Sequence, residues 1–138
     1  MRYSLGILVV LLMPLSVAAQ QRDSVFDNYA EYNAFVDDKI MNRDFISLVQ
    51  SLGGRDEYSA EQLSGLQQQF TDIFRIDFRH KTVFRQEDLG GGMRQEARAY
   101  WIGESYIYFY ALTHQRGNEF VVINFHLNSA VSKVMAKF

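Results

Sequence analysis

The chain has 138 residues, a formal net charge of −2 at pH 7, one proline and no cysteine. The absence of cysteine excludes a disulfide, a thiolate metal site, a lipid-bearing thiol and a thiol nucleophile, so the fold must be held by packing. The mild acidity argues against nucleic acid as a partner.

The first 19 residues read as a secretory leader. Arg2 supplies the positive start, Leu5 to Leu15 an apolar run, and Val17-Ala18-Ala19 a small-residue cleavage site. The run is shorter than the roughly 20 residues of a membrane span. Cleavage after Ala19 leaves Gln20–Phe138 as a single α+β domain, secreted or periplasmic and not held in the membrane, with a net charge of about −3 once Arg2 is gone.

Helical spacing of Val25, Tyr29, Tyr32, Val36 and Ile40 predicts a first helix over 24–40, capped by Asp23 or Ser24. A second is expected over about 43–52, with Phe45, Leu48, Val49 and Leu52 as its stripe and Gly53-Gly54 as its stop. Ser59 and Gln62 form a capping box for a third, with Tyr58 and Leu63 at the staple positions. Its apolar stripe runs through Leu66, Phe70, Ile73 and Phe74, and Gln67 to Gln69 are expected to face water.

From Ile76 the period falls to two. Strands are expected over 76–85, 93–102, 106–115 and 119–127, separated by short glycine-bearing links that favour hairpins. Helices followed by a curved four-stranded antiparallel meander predict an α+β domain with the helices on one sheet face.

Side-chain chemistry then proposes a register. Three-residue links at Arg116–Asn118 and Gly103–Ser105 set Ala111 opposite Ile123, Phe109 opposite Phe125, Trp101 opposite Ile107 and Arg98 opposite Tyr110. Apolar Ala97, Ala99, Trp101, Ile107, Phe109, Ala111, Val121, Ile123, Phe125 and Leu127 then face the helices as the core. Glu96, Arg98, Tyr100, Tyr106, Tyr108, Tyr110, Asn124 and His126 face away. Gly103-Glu104 alone suits a two-residue turn with glycine first, and that rival register reverses the faces of the preceding strand.

Three N-terminal helices feeding a curved meander resemble the nuclear transport factor two-like superfamily, the cone-shaped domains that include ketosteroid isomerase. The resemblance rests on Asn42-Arg43-Asp44-Phe45, the Ser59–Gln62 helix start, Tyr108-Phe109-Tyr110 and Val121–Phe125. Cystatin-like domains are its neighbour. The resemblance implies a pocket between helices and sheet and a dimer through the outer face; it carries over no catalytic residue.

Gly90-Gly91-Gly92 lacks the following Lys-Ser/Thr and helix of a phosphate loop and reads as a hairpin link. His80, His114 and His126 lack metal-ligand spacing. Asp77 beside Arg79 is the best general-base candidate, with a salt-bridged surface acid as the plainer alternative. Two functional readings result, neither with a metal or cofactor. In the first, a non-catalytic domain meets a second copy or another protein through the face bearing Arg98, Tyr100, Tyr106, Tyr108, Tyr110, Asn124 and His126, where aromatic and arginine side chains suit an interface. In the second, a pocket lined by Phe70, Phe74, Asp77, Trp101, Phe109 and Phe125 takes a small apolar or aromatic ligand, in a binding or isomerase-like role.

Overall fold

The structure, a computed structural model, describes residues 22–138. The expected leader and its cleavage site lie outside the described residues. The domain is α+β, as the pattern predicted, with five strands where four were expected and with a fourth helix. In chain order the elements are β1 (Val25–Phe26), α1 (Tyr29–Met41), α2 (Phe45–Val49), α3 (Ala60–Ile73), β2 (His80–Gly90), β3 (Met93–Ile102), β4 (Ser105–Arg116), β5 (Glu119–Asn128) and α4 (Val131–Met135). The sheet runs β1-β5-β4-β3-β2, every neighbour antiparallel.

The first helix starts later than its apolar spacing predicted. Ser24 takes a left-handed φ of 69°, and Val25 and Phe26 pair with Val121 and Phe120 as β1. Asn28 is the cap: its side chain accepts from Glu31 N at 2.9 Å, while the Glu31 carboxylate accepts from Asp27 N at 2.9 Å. α2 is capped by Asp44 and widens to π-helical spacing over Gln50–Gly54. Gly53 ends it at φ 110°, where a Cβ would stand 2.5 Å from Ser24 Oγ. The capping box of α3 forms as read, with Ser59 Oγ accepting from Gln62 N and Gln62 Oε1 accepting from Ser59 N. Gln67, expected in water, instead clasps α2. Its carbonyl accepts from Phe45 N at 2.9 Å and its amide donates to Arg43 O at 2.7 Å.

The sheet register corrects the predicted faces. Ile102 pairs with Ser105, so Gly103-Glu104 is the two-residue turn, and the rival register holds. Tyr100 lies opposite Ile107, Arg98 opposite Phe109 and Glu96 opposite Ala111. These polar side chains face α1, while Trp101, Ala99 and Ala97 share the outer face with Tyr106, Tyr108 and Tyr110. Turn chemistry decided the parity, and one residue of slip moved the whole set.

The last hairpin also closes on two residues, Arg116 pairing with Glu119. A bulge at Ile123 then restores the predicted parity: Thr113 pairs with Val122, but Leu112 pairs with Asn124, and Ala111 with Phe125. Ile123, expected in the core, is the extra residue and is half-exposed.

The main core joins Tyr32, Val36 and Ile40 of α1 and Phe45, Leu48 and Leu52 to Tyr100, Ile107, Phe109 and Ala111 of the sheet. α4 packs on the opposite face, burying Val134 with Ala97 and Tyr110. The alanines leave the space that α4 and the tyrosine ring fill. Sequence reading missed α4 because five residues carry too little periodicity.

Candidate functional site

Between α1 and β3 lies a polar cluster built from two periodicities. Tyr29, Asn33 and Asp37 recur every four residues on α1, and Glu96, Arg98 and Tyr100 every two on β3, so both rows face each other. Arg98 Nε donates to Glu96 Oε1 at 2.8 Å, and its Nη1 donates to Asn33 Oδ1 at 2.8 Å and Asp37 Oδ1 at 3.2 Å. Tyr32 donates to Glu96 at 2.5 Å and Tyr29 at 3.1 Å. Asp37 also accepts from the Tyr100 hydroxyl at 2.7 Å and from Lys81 Nζ at 2.6 Å. Arg98 and Glu96 are each 1 % exposed.

Two carboxylates thus meet two cations, and burial is tolerated because every charge has a partner. Among the described residues no buried side-chain nitrogen or oxygen lacks a hydrogen bond. Burial, reinforced by the Glu96 charge, pushes the Tyr32 phenol well above its ordinary range. Burial likewise pushes Tyr100 up, with Asp37 adding to the shift against the opposing pull of Arg98. A hollow of about 240 Å³ opens beside Asn33, Asp37, Lys81 and Tyr100. The Asp37 carboxylate there already accepts from Arg98, Tyr100 and Lys81, which takes three of its roughly four lone-pair sites.

The larger concavity lies between α2, α3 and β5. α3 rests on α2 through Gln67 and through the Phe45 and Phe70 rings, whose centroids are 4.4 Å apart. Leu63 is its only buried residue, so α3 stands off the sheet. The gap is a cleft of about 440 Å³, walled by Phe45, Ile46, Val49, Leu52, Leu63, Leu66, Phe70, Phe125 and Leu127. Glu57, Tyr58, Gln67, Asn124 and His126 also contribute to its lining. The size lies within the roughly 300–1,000 Å³ of small-molecule sites, and the apolar walls are joined in the lining by the polar groups of Ser24, Glu57, Tyr58, Gln67, Asn124 and His126.

The outer sheet face carries an aromatic row. His80 stacks on Trp101 at 5.3 Å, Trp101 on Tyr106 at 5.6 Å and Tyr106 on Tyr108 at 6.0 Å between ring centroids. The rings are near parallel, so their π-faces are engaged with one another. Tyr110 is covered by Phe138, which in turn lies under the Arg85 guanidinium at 4.1 Å.

The proposed tyrosine face therefore divides. Tyr106, Tyr108, Tyr110 and His126 share the outer side, with Tyr110 and His126 rings 6.2 Å apart. Arg98 and Tyr100 belong to the buried cluster instead. Asn124 is exposed and borders the cleft. Of the expected pocket residues, Phe70 and Phe125 line the cleft. Phe109 is core behind Phe125, Phe74 packs on Phe78, and Trp101 is on the other side of the sheet. Asp77 is bound by Arg43 Nε at 2.8 Å away from the cleft, which is the salt-bridged alternative read for it. Asn33, Asp37 and Lys81 were missed, although the four-residue polar row on α1 was a usable signal.

No family model, curated protein or solved structure matches the chain.

Proposed function

We propose that the protein is an exported, non-catalytic binding domain that takes a small apolar or aromatic molecule in the cleft between α2, α3 and β5. The observation that carries this reading is the cleft itself: about 440 Å³, with leucine, valine, isoleucine and phenylalanine walls. Export rests on the leader pattern of residues 1–19. The polar cluster supports a non-catalytic role, since its charges are matched internally. Helices packed on an antiparallel meander, with a cleft between them, are in keeping with the nuclear transport factor two-like resemblance.

The test is titration with 1-anilinonaphthalene-8-sulfonate and dodecanoate. Val49→Trp should fill the cleft and abolish a saturable site while leaving the circular dichroism spectrum unchanged. Binding unaffected by Val49→Trp, or lost instead on Tyr106→Ala, would move the site to the outer aromatic row and overturn this reading.

A further inference from the structure

β2 is the last strand on its side of the sheet, and no other element of the described residues pairs with its outer edge. It is 11 residues long. Proteins usually blunt such edges with charge or a bulge, and β2 has both. Here the two devices are arranged so that the strand complements itself. The start of the strand is basic, with His80 and Lys81; its end is acidic, with Glu87 and Asp88. An antiparallel second copy sets one end against the other.

The bulge selects a single register. Before it, Lys81 and Val83 face the helices; after it, Gln86 and Asp88 do. His80, Thr82 and Glu87 face outward, as do both Phe84, whose ring meets Tyr108, and Arg85, which covers Phe138. Residues opposite one another in an antiparallel pair lie on the same face. A two-fold axis between Phe84 and Arg85 satisfies this along the whole strand. Moving the axis by one residue along the strand sets an inward side chain against an outward one near the centre. In the satisfied register Lys81 meets Asp88 of the second copy, Thr82 meets Glu87, and Phe84 meets Arg85, each pair occurring twice. Lys81 gives one bond to Asp37 and is 49 % exposed, leaving ammonium protons for a second carboxylate.

We propose that the protein self-associates through β2, two copies pairing edge to edge about this axis and joining their five-stranded sheets into one. The partner is a second copy because the complementarity is two-fold: the same strand supplies both halves of every charge pair. The proposal does not depend on the ligand of the cleft.

Sedimentation velocity of the chain purified after export should show a dimer. Asp88→Lys sets like charges opposite Lys81 and should weaken association by roughly tenfold or more. Lys81→Glu should do the same, and mixing the two variants should restore the dimer, since opposite charges then face each other. Circular dichroism checks that each variant is folded. The chain has no cysteine, so disulfide trapping reads the register directly if a charge variant fails to fold. Copies with Thr82→Cys and copies with Glu87→Cys should cross-link when mixed, and neither should do so alone. Monomer at every concentration, a dimer indifferent to Asp88→Lys, or cross-linking no faster than with Asn118→Cys as the partner would overturn the proposal.

Discussion

Arg98 lies across the ladder from Phe109, on a face that also carries Ile107 and Ala111, and is as buried as they are. It is held there by carboxylates on both elements, Glu96 beside it on β3 and Asp37 above it on α1. Removing the cation leaves the buried Glu96 without a positive partner, while Asp37 keeps Lys81. Arg98→Met should therefore cost about 3–5 kcal/mol in urea unfolding, and adding Glu96→Gln should cost less than the sum of the two single changes. Strict additivity would mean that the pair does not act as a unit. The cluster was half legible in the sequence. Polar residues at 29, 33 and 37 and at 96, 98 and 100 each mark one face of an element. Neither row says that the two faces meet, because parity within β3 depends on a turn outside it.

At the scale of elements, two local signals with stereochemical content were read correctly. The Ser59–Gln62 box and the Gly53 stop depend on a few adjacent residues. The faces of β3 failed because side-chain pattern was set above turn chemistry at Gly103-Glu104, and other misses came from counting across an irregularity. The bulges at Phe84 and Ile123 each add one residue to a strand, and β1 takes Val25 and Phe26 out of a helical pattern that they fit equally well. The cleft was legible only through Phe70 and Phe125, since its existence depends on how far α3 stands from β5. α3 has Leu63 as its single buried residue, so it should be the first of the long helices to open. Ser59→Ala should destabilise it by about 1 kcal/mol. Hydrogen exchange should show this as faster opening of the α3 amides with little change in β3 and β4; equal acceleration everywhere would show that α3 opens only with the whole domain.

For the molecule as a whole, the buried phenols set a limit at alkaline pH. Tyr32 and Tyr100 keep their protons in the native state beyond the ordinary phenol value of 10.0. Below that value both states are protonated and the contribution of these groups to stability is fully present. Above it the unfolded chain releases protons that the native state retains, so stability falls as pH rises, by about 1.4 kcal/mol per pH unit for each phenol. Thermal unfolding across the alkaline range should show this slope, shallower in Tyr32→Phe, and phenolate absorbance should rise further at the unfolding transition. A slope unchanged by Tyr32→Phe would refute the assignment.

The placement of α4 has a practical consequence. Phe138 is wedged between Arg85 on β2 and Tyr110 on β4, so the final side chain spans three strands of the outer face. A purification handle or dye fused after residue 138 would pull on that wedge and report on a disturbed sheet. Asn118, exposed in the turn between β4 and β5, is a better place for one, with Gly117 beside it kept because its φ of 57° suits glycine. A label there would leave the cleft, the polar cluster and the β2 edge as the chain itself makes them.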